Sequence, residues 1–267
     1  MMTQYLVVCG TALIVAGLTL LSGFGLGTLL LPAFALFFSI QIAVAATAVV
    51  HLANNLFKLT LVGRHADRRV VMTFGLPAAA AAFAGAWVLT AFAGLPPLHE
   101  YELGLITAQI TVVKIAIAAL IIFFALLDLV PALKRITFDR KYLPLGGLIS
   151  GFFGGLSGHQ GSLRAAFLIK LGLSREAFIG TGVMCAVFVD LARLAVYGTS
   201  FYRHRFALPD AGVNDGLTRL VLAATICAFV GSFIGARLMK KVTIELIQRL
   251  VGGLLILLGI GIGIGLV

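Results

Sequence analysis

The chain has 267 residues, of which 61% are hydrophobic and only 11% are charged, and its mean hydropathy is +1.11. A soluble domain carries about 25% charged residues, so this composition excludes a soluble protein and indicates an integral membrane protein. The formal net charge is +10. Its basic residues cluster in short segments between apolar runs, as the positive-inside bias requires, which argues against a nucleic-acid partner.

Apolar runs occupy most of the chain, and about 20 apolar residues suffice for one helical crossing of a bilayer. The runs cover residues 5–38, 42–63, 70–93, 104–130, 143–171, 176–199, 217–239 and 243–266. No linker or low-complexity segment separates them, so we expect a single transmembrane domain over residues 1–267. The three cysteines form no CxxC pair and are interpreted as small apolar residues.

Two of these runs, 5–38 and 143–171, are long for one crossing, and each contains a glycine-rich break: "SGFGLGT" (22–28) and "LSGHQGS" (156–162). A shift of 134 positions superposes Gly27 on Gly161, Thr28 on Ser162, Leu29 on Leu163 and Thr47 on Thr181. The sequence therefore predicts an all-α membrane protein with two structural repeats, at about 5–130 and about 143–267. Each repeat has a kinked or re-entrant first segment and three transmembrane helices, which is typical of duplicated transporters.

The repeats could be parallel or inverted, and the basic residues help to choose between these arrangements. If each broken run crosses once, the halves are parallel, and "KLGLSRE" and "MKK" face away from the other basic segments. If each broken run is a re-entrant hairpin, the halves are inverted and one side collects Arg64, Arg68, Arg69, Lys134, Arg135, Arg140, Lys141, Lys170, Arg175, Lys240 and Lys241. The other side keeps mainly Arg203 and Arg205. The positive-inside bias favours the inverted arrangement, with both termini outside.

The two halves also carry a family resemblance. The first contains "LLSGFGLGTLLLPAFALF" followed by "IAVAATAVVHLANNLFK", and the second contains "ISGFFGGLSGHQGSLRAAFLIKLGLSREAFIGTGVMCAVFVDLAR". This layout resembles the TauE/SafE family of permeases, also called the sulfite exporter or TSUP family, over essentially the whole chain. The resemblance implies an inner-membrane transporter for small anions such as sulfite, sulfonates or sulfoacetate. The usual "GxGGG" form is replaced by "GFGLGT" and "GHQGSL", which leaves the substrate open.

The breaks are the expected substrate site. Backbone that departs from the helical hydrogen-bond pattern inside a membrane must be buried in protein or line a water-filled cavity. A helix that begins after a break offers free N–H groups and a positive dipole end to an anion. New helices are expected to begin near Thr28 and Ser162, and the second break supplies further polar groups from Ser157, His159, Gln160 and Arg164. The guanidinium of Arg164 matches the oxygens of a sulfonate, sulfite or carboxylate. The alternative is that Arg164 extends to the membrane interface.

A polar stripe follows the first break. His51, Asn54, Asn55 and Lys58 are spaced i, i+3, i+4, i+7, which places them on one helical face. We expect His51, Asn54 and Asn55 to face the substrate, whereas Lys58 is a candidate gate or proton relay, or else extends outward. In the second half, Asp190 and Arg193 are spaced i, i+3 and could form a structural ion pair, a gate or a relay. Lys114, in the fourth run, is a candidate gate or proton relay in the pathway, or else extends outward.

We therefore expect a secondary transporter, because no Walker A sequence supports ATP hydrolysis. The alternatives are an anion channel and an intramembrane enzyme in which Ser157 or Ser162 would act with His159. No cofactor is expected, and His51 and His159 do not form a metal-binding spacing. The expected partners are a small anion and the lipid bilayer, with no nucleic acid. Proton coupling and a homo-oligomer are left open, and His51, His159 and Asp190 are the candidate proton carriers.

Overall fold

The computed structural model describes residues 2–22, 26–104, 106–134, 136–202, 211–238 and 244–266. The helices are α1 Met2–Ser22, α2 Gly27–Ala35, α3 Ile40–Val62, α4 Arg68–Val70, α5 Leu76–Phe92, α6 Val112–Leu129, α7 Pro131–Lys134, α8 Leu143–Ser157, α9 Gly161–Leu168, α10 Arg175–Tyr202, α11 Ala211–Leu238 and α12 Ile244–Gly263. A π-helical turn, Val71–Gly75, joins α4 to α5, and the strands are β1 His99–Leu103 and β2 Ile106–Ile110.

Most of the described chain is helical, as the composition predicts. Among the described residues, four helices are long and apolar enough to cross a membrane: Ile40–His65, Arg68–Phe92, Arg175–Ser200 and Gly216–Gly235. Shorter apolar helices cover Met2–Leu18, Val112–Leu127 and Gly252–Gly263. The chain is therefore a multi-pass helical membrane protein. The basic residues Arg135, Arg203, Arg205, Lys240 and Lys241 lie outside the described residues.

The expectation of a helix over the whole of run 104–130 is wrong at its start. Strands β1 and β2 pair antiparallel in this region, with His99 opposite Ile110. Gly104 has a φ of +62° between the strands, and this backbone conformation favours glycine. Helix α6 begins only after Thr111, whose Oγ1 accepts from the Lys114 N–H (3.1 Å) and caps the helix. Lys114 therefore lies in the first turn of α6.

The second long run is broken where its glycines predict. The first predicted break falls on residues 23–25, which lie outside the described residues; α1 is described to Ser22 and α2 from Gly27. α8 ends at Ser157, and Gly158 follows it in the left-handed region, with φ +82°. A left-handed residue stops a helix, and glycine adopts that conformation without a steric penalty.

The second broken run folds back on itself. The ring of Phe167, near the end of α9, packs against Gly146, near the start of α8. Ser150 Oγ donates to the Gln160 carbonyl (3.2 Å), and Lys170 Nζ lies 3.4 Å from Asp139 Oδ1. Helices α8 and α9 therefore form a helical hairpin whose two ends lie together.

Glycines allow two pairs of helices to approach closely. In the α5–α8 pair, the Cα atoms of Gly151 and Gly155 face the carbonyl oxygens of Ala78 and Ala82. In the α1–α11 pair, Gly231 and Gly235 face the carbonyls of Leu13 and Gly17 in the same way. The residue order in both contacts shows that the paired helices run parallel. Small residues provide this close packing in membranes, where the lipid removes the hydrophobic driving force.

Gly155 provides a test of this packing. A methyl group at Gly155 would overlap the Ala82 carbonyl oxygen, and overpacking typically costs about 1–3 kcal/mol. We expect Gly155→Ala to lower the midpoint of thermal unfolding in detergent. The control is Gly10→Ala in α1, because no atom lies within 4 Å of its added methyl group. It should be neutral or stabilising by about 0.5–1 kcal/mol. Equal midpoints for the two variants would contradict the close contact.

Candidate functional site

A buried carboxylate joins α3 to α10. Asp190 Oδ2 accepts from His51 Nδ1 (2.7 Å) and from Asn55 Nδ2 (3.1 Å), both on α3. Its other oxygen, Oδ1, accepts from Arg193 Nε (3.0 Å) and Nη2 (2.7 Å). Asp190 and Arg193 are both 0% exposed. Such a pair is stable only when further hydrogen bonds satisfy the charges, and here His51 and Asn55 supply them.

The polar stripe of α3 is buried as a single face, as its spacing predicts. Asn54 lies against α11, where its side chain pairs with Ser232 Oγ (2.8 Å). The amide orientation that satisfies its neighbours also donates to the Ala228 carbonyl (3.2 Å) and accepts from Lys58 Nζ (3.3 Å). Lys58 is only 4% exposed, so it does not extend to the membrane interface. The stripe therefore connects α3 with α10 on one side and α11 on the other.

The second break is buried as well. Ser157, His159 and Gln160 are each no more than 2% exposed. Ser157 Oγ donates to the Phe153 carbonyl (3.1 Å) and lies 3.3 Å from His159 Nδ1. The His159 ring stacks on Phe124 of α6, with centroids 5.7 Å apart. These contacts fix the direction of the imidazole inside the protein.

The two breaks meet inside the protein. A methyl group at Gly27, the first residue of α2, would lie 3.5 Å from the Gly158 carbonyl oxygen and 3.6 Å from Thr47 Cγ2. On its other side Gly158 faces Arg193, because a methyl group there would lie 2.6 Å from Arg193 Nη1. Neither α2 nor α9 has a side-chain cap at its start. The start of α2 therefore adjoins the second break, and Gly158 of that break adjoins the Asp190–Arg193 pair.

Among the described side chains, positive charge exceeds negative charge around this junction. Lys58 and Arg193 are buried and Arg164 is half-buried, whereas Asp190 is the only buried carboxylate among those side chains. Arg164 Nε lies against Gly182 of α10. An excess of positive charge in a low-dielectric interior is costly, and an anion relieves that cost.

Several polar atoms at the junction have no hydrogen-bond partner. Over the part of the chain with described side chains, the buried atoms of this kind are Thr47 Oγ1, His159 Nε2, Gln160 Nε2, Arg164 Nη1 and Arg193 Nη1. They come from α3, α9, α10 and the second break, the same elements that meet at the junction. Buried polar groups are nearly always paired, so a cluster of unpaired ones needs an explanation.

The structure brings most of the sequence-predicted residues together. Thr28 and Ser162 lie in the first turns of α2 and α9, next to the breaks. Lys114 does not join the cluster: its Nζ lies 3.4 Å from the Gly265 carbonyl, just beyond the end of α12. Within the described ranges, no group of three His, Cys, Asp or Glu residues could hold a metal ion.

Thr47 is the residue that sequence analysis missed at the site. Its superposition on Thr181 in the repeat was the available signal, but an isolated threonine in an apolar helix does not indicate a ligand. Only the contact of Thr47 with Gly27 places it beside the breaks.

The Asp190 network provides a stability test. Removing one partner of a buried ion pair leaves an uncompensated charge and typically costs about 3–5 kcal/mol. We expect Asp190→Ala to destabilise the protein on this scale in reversible unfolding in detergent or bicelles. The matched control is Asp139→Ala, which removes the exposed pair with Lys170 and should cost no more than about 1 kcal/mol. Comparable losses in the two variants would contradict the network.

Comparison with known proteins agrees with this architecture. The family model described as sulfite exporter TauE/SafE matches residues 8–262, nearly the whole chain. Neither the curated proteins nor the solved structures provide a match. The family is one of membrane transporters of the sulfite-exporter type and not one of enzymes. The broken helices, their buried polar junction and this match lead to one conclusion: the chain belongs to the TauE/SafE sulfite exporter family.

Proposed function

We propose that the protein is a secondary transporter that exports a small sulfur-containing anion, such as sulfite, sulfoacetate or another sulfonate. The anion would bind near the membrane midplane, where the two helix breaks meet. The observation that carries this proposal is the excess of buried positive charge beside two uncapped helix starts. The proposed contact residues are Thr28, His51, Asn54, Asn55, Ser157, His159, Gln160, Ser162 and Arg164.

An anion suits this region for two physical reasons. The first N–H groups of α2 and α9 have no intrahelical acceptor, so they are available to a negatively charged ligand. A guanidinium presents several N–H donors in a fixed plane, which fits the oxygens of a sulfite or sulfonate group. A cation would meet Arg164 and Lys58 instead, so these groups would select against it.

Export is the direction that the membrane potential assists. With the inside negative, the potential favours the exit of an anion by about 2.3 kcal/mol per charge per 100 mV. Export of the anion then needs little additional energy from coupling to another ion. If protons are carried, His51, His159 and Asp190 are the proposed carriers, and Lys58 and Arg193 would act as gates. Lys114 has no proposed role in the pathway because it lies at the end of α12.

We further propose that the chain consists of two inverted repeats. The corresponding helices α3 and α10 support this proposal, because Val62 lies against Gly180 and His51 against Asp190, so these two helices run antiparallel. The hairpin of α8 and α9 also supports a re-entrant first segment in the second half. Alternating access would then come from movement of one part of the molecule against the other around a fixed central site.

The proposed orientation places both termini outside the inner membrane. The Asp67 N–H donates to Thr181 Oγ1 (2.9 Å), and Lys170 lies beside Asp139, so these contacts gather several basic segments on one side. Across the membrane, Tyr101 in β1 donates to the Ile264 carbonyl (2.5 Å), near the C-terminus. The positive-inside bias assigns the basic side to the cytoplasm.

Anion binding by the purified protein tests the function. We expect wild type to bind sulfite or sulfoacetate more tightly than acetate. Arg164→Gln should weaken binding at least about tenfold, since hydrogen bonds to charged groups contribute about 1.5–3 kcal/mol. The measurement is isothermal titration with sulfite, sulfoacetate, taurine and acetate.

The control for this titration is Arg175→Gln, because Arg175 is an exposed arginine at the start of α10. Its affinities should match those of wild type. If Arg164→Gln binds every anion as well as wild type does, a central role for Arg164 is excluded.

A further inference from the structure

We propose that Thr47 Oγ1 and Arg193 Nη1 bind the anion directly, beside the contact between Gly27 and Gly158. This inference rests on the proposed function and specifies its binding site. It adds a side chain of α3 and one of α10 to the groups supplied by the second break. The anion would then bridge the two helices that the Asp190 network already joins.

The Thr47 hydroxyl is the first observation. Thr47 is 1% exposed, and its Oγ1 has no hydrogen-bond partner. Threonines within helices commonly donate to the carbonyl four residues earlier. Thr73 and Thr225 do so in this protein, at 2.7 and 2.8 Å. Thr47 lacks this bond although its methyl group packs against Gly27, so its hydroxyl is available beside the first break.

The corresponding residue of the second half behaves differently. Thr181, which the repeat superposes on Thr47, is also fully buried, but its Oγ1 accepts from the Asp67 N–H (2.9 Å). That bond ties the start of α10 to the segment before α4 and accounts for the Thr181 hydroxyl structurally. No such contact accounts for Thr47. One threonine of the pair is structural, and the other is left for a ligand.

Arg193 is the second observation. Its Nε and Nη2 bind one oxygen of Asp190, whereas Nη1 has no partner and lies against Gly158. The guanidinium is planar, so fixing one edge on Asp190 also fixes the direction of Nη1. Asp190 therefore acts as a positioning residue that holds a charged donor at the second break before the anion arrives.

The set of donors indicates the class of ligand. The Thr47 hydroxyl, the Arg193 guanidinium and the Gln160 amide can each donate a hydrogen bond, and the His159 imidazole can do so when Nε2 carries a proton. An oxyanion with three oxygens, such as sulfite or a sulfonate group, offers acceptors to several of these groups at once. Acetate has only two oxygens, so it satisfies fewer of them.

Replacing Thr47 by valine tests the assignment with little risk to folding. Thr47→Val keeps the shape of the side chain and removes a hydroxyl that has no partner in the protein, so stability should be unchanged or higher. Sulfite affinity should fall about tenfold, because a hydrogen bond to a charged ligand is lost. Thr47→Ser restores the hydroxyl and should restore most of the affinity. Both quantities are measured on the full-length protein in detergent, by thermal unfolding and by titration with sulfite.

Thr181→Val is the matched control, with the opposite expected result. It removes the acceptor for the Asp67 N–H, so the unfolding midpoint should fall while sulfite affinity stays at the wild-type value. If Thr47→Val binds sulfite as wild type does while Arg164→Gln is impaired, the Thr47 assignment is overturned and the proposed function stands. If wild type binds neither sulfite nor sulfoacetate, the proposed function fails and this inference fails with it.

Discussion

A guanidinium and a carboxylate, both fully buried, stand at the centre of this molecule. Arg193 and Asp190 lie on one helix, and Asp190 also binds His51 and Asn55 on another. Opposite charges in a membrane interior must pair with each other, because neither water nor lipid tails provide a polar partner there. The contact thus fixes α3 against α10 and orients the polar face of α3. It also leaves one edge of the Arg193 guanidinium directed at the second break.

The helix breaks depend on that centre. Unpaired backbone groups are tolerated at membrane depth only where protein or a polar cavity surrounds them. Here the breaks meet each other and the Arg193 side chain, and the glycine contacts of α5 with α8 and of α1 with α11 bring the supporting helices close. Fold and function therefore use the same features. Buried cations, uncapped helix starts and unpaired donors reduce stability in the absence of a ligand, and each of them favours an anion.

The sequence predicts the local features well. The position of the second break, the single polar face of α3 and the Asp190–Arg193 pair all follow from spacing along one segment. Its prediction fails at residues 106–110, where hydrophobic length alone indicates part of a helix and the chain forms the second strand of a β-hairpin. The capping threonine at Thr111 and the turn at Gly104 decide that boundary, and both are short-range signals within an apolar run.

Contacts between segments that are far apart in the sequence cannot be predicted from residue spacing along one segment. His51 and Asp190 are 139 positions apart, and no periodicity connects them. The same is true of Thr47, whose importance depends on its neighbour Gly27 and on the absence of the usual helical hydrogen bond. Lys114 is a further example, because its Nζ lies 3.4 Å from the Gly265 carbonyl and no spacing along the sequence indicates that contact.

Locating a bound anion tests the central claim most directly. Selenite is the heavier analogue of sulfite, and its selenium atom gives an anomalous scattering signal in crystals of the wild-type protein. We predict one strong peak beside the contact between Gly27 and Gly158, within hydrogen-bonding reach of Arg193 Nη1 and Thr47 Oγ1. A peak confined to the basic surface segments, or the lack of any peak at the junction when selenite is saturating, would contradict the account.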